Sequence, residues 1–219
     1  MNDIYVRAEL CLKFSNYKKY YKALIAFNFL FCVCLAHAGS CLGETAGVAL
    51  STDSIKPLKI GDSIPEELWH LPLQVVNHPE GKDTITLNDY RDSKLIVLEF
   101  WATYCHPCIR SIEKFDSIQQ NYTANELMLL PVQVYDDVDR ALPFIEKHEW
   151  NLSSVVGDTL MNKGYFARYL TGFGIVWIAD GRLLAVPSIK SINATNVDRA
   201  VRRHPLHIIN RKEQTIDHP

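Results

Sequence analysis

The sequence predicts an α/β domain built on a β-α-β unit, with a hairpin before it and another after it. Three observations predict this. Two near-continuous apolar runs, residues 94–101 and 127–134, have the pattern of strands buried on both faces. Between them Ile109, Ile112, Phe115, Ile118 and Tyr122 recur every three or four residues, the apolar stripe of one amphipathic helix. Alternating segments bounded by turn residues flank this unit on both sides. The helix between the two runs supplies the long crossover that parallel strands need.

Taken in order, Gly61-Asp62-Ser63-Ile64-Pro65 reads as a turn leading into the domain. Residues 71–76 and 83–87 alternate with period two around the turn-rich His78-Pro79-Glu80-Gly81, an N-terminal β-hairpin extension. After the β-α-β unit, residues 140–149 suit a helix provided Pro143 sits in its first turn. Residues 153–156 are short and apolar, and 159–169 read as a helix. Residues 174–178 and 182–186 flank Ala179-Asp180-Gly181, a second hairpin signal. A closing helix fits residues 194–203, and residues 204–219, with little periodicity, read as a tail. No internal repeat is present.

The chain has 219 residues, 47% hydrophobic and 22% charged, which excludes wholesale disorder and a multi-span membrane protein. A net charge of −2 argues against nucleic acid as a partner. Residues 1–40 hold five basic and two acidic groups, leaving 18 basic against 23 acidic in the remainder. Within that basic segment, residues 23–36 form an apolar run that follows Lys18, Lys19 and Lys22 and precedes small residues. This is the layout of a signal peptide, with Ala36-His37-Ala38 as its exit. Two alternatives stay open: a lipoprotein box ending at Cys41, or an uncleaved N-terminal membrane anchor. All three place the body outside the cytoplasm, in the periplasm or cell envelope. The expected organisation is therefore a targeting segment at 1–40, a linker at 41–58, a domain at 59–203 and a C-terminal tail at 204–219.

Of the six cysteines only Cys105 and Cys108 lie in the body. A bridge closing so small a loop constrains little unfolded-chain entropy, so the pair makes a poor structural staple. It makes a good redox pair. Cys105 falls where the first buried strand gives way to the helix, and Pro107 suits an early helical position. The helix's unpaired N–H groups and its positive dipole end both favour thiolate at Cys105. A cysteine of pKa about 8.5 is only ~3% ionised at pH 7, against half for one of pKa about 7. His106, when protonated, would push the same way. Cys105 is then the nucleophile, and Cys108 resolves the mixed disulfide. Glu99, six residues earlier amid Leu95, Ile96, Val97, Leu98 and Phe100, is a candidate general base for Cys108. Burial would raise its pKa. Its bland alternatives are a wet sheet end, or pairing with Lys94 or Lys114. Asp136-Asp137-Val138-Asp139 is explained by a loop and the start of a helix.

Leu98-Glu99-Phe100-Trp101-Ala102-Thr103-Tyr104-Cys105-His106-Pro107-Cys108 resembles the active-site segment of the thioredoxin superfamily. It is most similar to the TlpA/ResA-like thiol-disulfide oxidoreductases of bacterial envelopes, whose site reads F-W-A-T-W-C-x-P-C. The likeness extends through Gly61-Asp62-x-Ile64-Pro65, Val155-Val156-Gly157-Asp158 and Ile175–Ile178 to about residue 200. It implies a thioredoxin-like central mixed sheet flanked by helices. It also implies that the chain exchanges dithiol and disulfide with protein thiols and disulfides, as a reductase, with an upstream membrane electron donor as a further partner. No cofactor is expected beyond the redox-active Cys105–Cys108 disulfide, and no metal. Glu99 falls where thioredoxins carry their buried acid. Trp101, Tyr104, His106, Pro107 and Phe173 are expected to border the substrate-binding groove, with a core position for Trp101 as the alternative.

One departure stands out. The family places a cis-proline before the strand that matches Gly174–Ile178, and here Phe173 occupies that position. A trans loop with unusual angles at Gly172 and Gly174 is expected instead. Two other functions compete with thiol exchange. A peroxidase on this fold needs Thr and Pro where Ala102 and Leu98 stand. A non-enzymatic metal-binding or interaction module would find only two of four zinc ligands in the motif.

Overall fold

A computed structural model describes residues 54–213. The signal-peptide and anchor readings, Cys41, most of the 41–58 linker and the end of the tail lie outside the described residues.

The long apolar runs become the two central strands. β3 (Leu95–Trp101) and β4 (Leu127–Gln133) pair in parallel over their full length, from Leu95 opposite Leu127 to Trp101 opposite Gln133. On its other edge β3 pairs antiparallel with β6 (Gly174–Ala179), which turns at Asp180-Gly181 into β7 (Arg182–Ala185). Beyond β4 the sheet continues through β5 (Ser154–Val155) to β1 (Leu73–Val76) and β2 (Thr84–Ile85). The order is β2-β1-β5-β4-β3-β6-β7, a mixed seven-stranded sheet. The residues 71–87 segment thus contributes two strands to the main sheet.

Among the described residues four α-helices accompany the strands: α1 (Glu66–Trp69), α2 (His106–Gln119), α3 (Ala141–Lys147) and α4 (Ala194–Val201). Pro143 lies in the first turn of α3, where a missing N–H is tolerated. Asn193 caps α4, its side chain accepting from the Asn196 N–H at 2.9 Å. Two elements differ from the sequence pattern. α1 is a single turn with no periodicity to reveal it, fixed by burial of Leu68 and Trp69. The helix expected over 159–169 is a π-helical stretch at Met161–Tyr165. Asp158 nucleates it, accepting from the N–H groups of Met161 and Asn162, both at 2.9 Å.

Strand periodicity divides the core between the two faces of the sheet. On β3, Ile96, Leu98 and Phe100 join Trp69, Val132, Met161 and Phe166 on one face. Leu95, Val97 and Trp101 face the other way, packing with Ile112 and Phe115 of α2 and with Trp177. Glu99 belongs to this second series, so the period of two aims it at the helix that carries the cysteines. Every residue of β3 is buried, Glu99 included.

The described part of the tail packs on the domain. Its backbone returns to the domain, with the Ser188 N–H donating to Ile209 O and the Arg211 N–H to Val186 O, both at 2.8 Å. The Asn210 side chain accepts from the Val186 N–H at 3.0 Å. Residues 209–211 are therefore laid against residues 186–188. No helix among the described residues is long and apolar enough to cross a membrane.

Trp101 ends β3 wholly inside the second core. Its indole N–H donates to Ser154 Oγ at 3.1 Å, and its ring lies 5.2 Å from Trp150 and 5.4 Å from Phe144. Trp101→Ala removes this anchor and is expected to cost about 3–5 kcal/mol, read as a fall in the urea midpoint. A cost below about 1 kcal/mol would contradict the packing described.

Candidate active site

Cys105 occupies the N-cap of α2, Pro107 the second helical position and Cys108 the third. The turn before the helix is held locally, the Cys105 N–H donating to Ala102 O at 2.9 Å. Across this first turn Cys105 and Cys108 are joined by a disulfide, their Cα atoms 5.3 Å apart. The separation suits a bridge without backbone movement. The helix N-terminus faces the Cys105 sulfur, the arrangement that stabilises a thiolate once the bond is reduced.

Burial is greater than the motif suggested. Cys105 is 8% exposed and Cys108 5%. The pair opens into a cavity of about 400 Å³. Glu99, Pro107, Phe173, Gly174, Ile175, Pro187, Ser188, Ile189 and Arg211 complete its wall. The physical reason is the loop at 187–189 together with the returning tail, neither of which the C-x-x-C spacing discloses.

Glu99 lies at the inner side of this cavity, 2% exposed. Its strand neighbours are Pro131 on β4 and Ile175 on β6, which offer it no polar side chain. Ser111, one turn beyond Cys108 on α2, donates its hydroxyl to Glu99 Oε2 at 3.0 Å. Burial in this apolar setting pushes the Glu99 pKa well up, while the Ser111 hydrogen bond and the positive charge of Arg211 pull less strongly the other way. Neither lysine proposed as its partner reaches it. Lys94 pairs with Glu126 at 3.2 Å, and Lys114 donates to Ile192 O at 2.7 Å.

The expected rim divides. Trp101 is withdrawn from it, being fully buried in the core. Tyr104 is 54% exposed and His106 and Pro107 are also exposed, while Phe173 is half-buried. The Phe173 ring stands edge-on between Tyr104, at 5.9 Å and 75°, and Tyr135, at 6.2 Å and 90°. The Tyr104 hydroxyl donates to Tyr135 O at 3.1 Å. Tyr135 was not anticipated. It follows β4 with φ of +57° in an acidic, turn-like stretch, and nothing in its spacing marks it as a neighbour of the motif. Asp136 was read only as part of a loop, yet Oδ2 accepts from the Thr103 N–H at 3.0 Å and from the Thr103 hydroxyl. It thus pins the turn that precedes the cysteines.

The position without its proline also resolves. No peptide bond among the described residues is cis. Gly172 has φ of +152°, a conformation that favours glycine. Gly174 does not share it, and its role is spatial instead. A Cβ there would come within 2.5 Å of Leu170 Cδ2 and 2.9 Å of Arg211 Nη1. The carbonyls of this loop are taken by the protein's own side chains. Asn162 Nδ2 donates to Gly172 O, and Arg211 Nη1 donates to Phe173 O at 2.7 Å.

Among the described residues no group of three or more His, Cys, Asp or Glu side chains is gathered closely enough to hold a metal ion.

The site can be set beside known proteins. A model described as the AhpC/TSA family matches residues 60–164, a span that includes both cysteines and Glu99. No curated protein matches the chain. Among solved structures, one similar chain is a DsbF homologue from Corynebacterium diphtheriae. It is 15% identical over 68% of this chain and 91% of its own, with a TM-score of 0.50. Another is the thioredoxin domain of a thiol-disulfide oxidoreductase from Bacteroides vulgatus. It is 14% identical over 67% of this chain and 97% of its own, also with a TM-score of 0.50. At such identity the likeness is one of fold. A mixed sheet of this order and a helix opening on a bonded C-x-x-C pair give the chain a thioredoxin-like fold.

Proposed function

We propose that the chain is an extracytoplasmic thiol-disulfide oxidoreductase of the TlpA/ResA-like kind, acting as a reductase of disulfides in partner proteins. The observation that carries this reading is the Cys105–Cys108 disulfide at the N-terminus of α2, sharing a cavity with a buried carboxyl group. Periplasmic location rests on the targeting segment and on the redox compartment in which such a pair would work.

The proposed cycle starts from the dithiol. Cys105, as thiolate at the helix N-terminus, attacks one sulfur of the partner's disulfide, and the partner's other sulfur leaves as a thiol or thiolate. A mixed disulfide now joins Cys105 to the partner. Cys108 gives its proton to the Glu99 carboxylate and attacks the Cys105 sulfur. The partner's second sulfur leaves as thiolate and is protonated. Two electrons have passed from the Cys105–Cys108 pair to the partner, and the intramolecular disulfide is the oxidised product. An upstream dithiol, supplied by a membrane electron donor in this proposal, returns the pair to its reduced state. Pro107 and Phe173 line the cavity that the partner's disulfide would enter in this cycle, and the exposed Tyr104 and His106 are its proposed outer contacts. The proximity of two sulfurs able to bond favours this exchange over a peroxidatic role for one thiol.

Three outcomes are expected. With dithiothreitol as donor the protein reduces insulin; Cys105→Ser abolishes the activity, and Cys108→Ser accumulates a mixed disulfide with the partner. An inactive wild type would sink the proposal. Glu99→Gln slows resolution at neutral pH by about a hundredfold, read as persistence of the mixed disulfide. An unchanged rate would remove Glu99 from the relay.

The third outcome concerns stability. Because burial raises the Glu99 pKa, the folded chain holds a proton at pH values where the unfolded chain has released it. The stability linked to that proton is fully present below the ordinary carboxyl range and is lost as pH rises through the folded-state value. Glu99→Gln cannot ionise, so its stability relative to wild type should improve from pH 4 to pH 8, measured by urea denaturation of the oxidised proteins. A difference that does not vary with pH would contradict the burial argument.

A further inference from the structure

Among the described residues, Arg211 is the one charged side chain besides Glu99 on the wall of the dithiol cavity, and it comes from the returning tail. Its presence there is built in by several independent features. The backbone of 209–211 is fixed to residues 186–188 by hydrogen bonds from the Ser188 and Arg211 N–H groups. The Asn210 side chain adds a third, from the Val186 N–H. The guanidinium donates to Phe173 O at 2.7 Å. Gly174 leaves open the space the guanidinium fills, since a Cβ there would approach Nη1 to 2.9 Å and Cζ to 3.2 Å. A half-buried guanidinium needs anionic or carbonyl partners; Phe173 O is one, and the Glu99 carboxyl group lines the same cavity.

We infer that Arg211 is a positioning residue for the buried acid: it ties the Phe173 loop to the returning tail and supplies the counter-charge for the Glu99 carboxylate. The inference rests on the reading of Glu99 as the acid beside the dithiol, and it adds the group that tunes that acid. The surroundings of Glu99 leave few rivals. On α2 it meets the Ser111 hydroxyl and shares the cavity wall with the cysteines, and its partners on β4 and β6 are Pro131 and Ile175. Arg211 is the only charged group that acts on it in the described structure, and its field favours the ionised carboxyl. The tail therefore does more than cover the site: through Arg211 it helps decide the pH at which Glu99 can accept a proton from Cys108.

The test is made on the oxidised protein, where neither cysteine titrates and insulin reduction plays no part. Carboxyl carbon resonances of isotopically labelled glutamate, with Glu99 assigned by its Gln variant, follow the ionisation directly. Arg211→Gln keeps a donor for Phe173 O but removes the charge, and should raise the Glu99 midpoint by about one pH unit. Arg211→Lys restores the charge and should recover most of that shift. A purely structural role for Arg211 predicts a lower unfolding temperature in the Gln variant with the Glu99 midpoint unmoved, and that result would overturn the inference. Should the Gln variant fail to fold, the wild type still decides. Its Arg211 guanidinium nitrogen resonances should shift at the Glu99 midpoint, and resonances indifferent to that titration would overturn the inference equally. Loss of insulin reduction with these shifts intact would count against the proposed function alone.

Discussion

A carboxyl group held in hydrocarbon beside two sulfurs is the constraint around which this fold is arranged. β3 is buried on both faces, and its period of two sends Glu99 toward α2 in company with Val97 and Trp101. A hydrophobic side chain at 99 would satisfy that core at no electrostatic cost, so the carboxyl is tolerated only because its charge is discouraged and its oxygens are partly served. Ser111 serves one oxygen from one turn past Cys108, and Arg211 supplies a distant compensating field. The result is an acid kept protonated more readily than in water, sharing a cavity with Cys108, the sulfur whose proton it would take in the proposed exchange.

The elements that hold this acid were legible in the sequence to different degrees. β3 and β4 announced themselves because strands buried on both faces tolerate almost nothing but apolar residues. α2 was equally plain, since its stripe of Ile109, Ile112 and Phe115 meets one sheet face, and Pro107 before it suits only a helix start. Hairpin signals at Asp180-Gly181 were local turn chemistry and needed no tertiary knowledge. Glu99 was suggested by its apolar company and by the position at which the resembling family carries a buried acid. What escaped was decided by long-range contact. α1 is too short to show a period, and Met161–Tyr165 winds as a π-helical stretch through the Asp158 cap. Trp101 could have faced either the core or the groove by composition, and Ser154 and Trp150, distant in sequence, settle it. Arg211 lay in a segment without periodicity, whose place follows from three hydrogen bonds to residues 186 and 188.

The absent proline illustrates the same division. Sequence comparison by motif locates Phe173 but cannot say what replaces the lost geometry. In the folded chain Gly172 takes the backbone angle that favours glycine, and Gly174 gives up a side chain to make room for a guanidinium. The carbonyls of Gly172 and Phe173 are already engaged by Asn162 and Arg211. A partner that sought to pair with this loop would have to displace them. The loop beside the cysteines is thus held by side chains from the tail and from the π-helical stretch, far along the chain. The row of Tyr104, Phe173 and Tyr135 gives the surface beside the cavity an aromatic character.

The central claim is that residues 105 and 108 form a reversible two-electron couple in the folded protein. Equilibrating the chain in graded ratios of reduced and oxidised dithiothreitol, then alkylating and weighing the peptide that carries both cysteines, measures this directly. The account predicts that the two sulfurs are labelled together, along one two-electron curve reached alike from the oxidised and the reduced side. Sulfurs that react independently, or a bond that yields only after the fold is denatured, would contradict it.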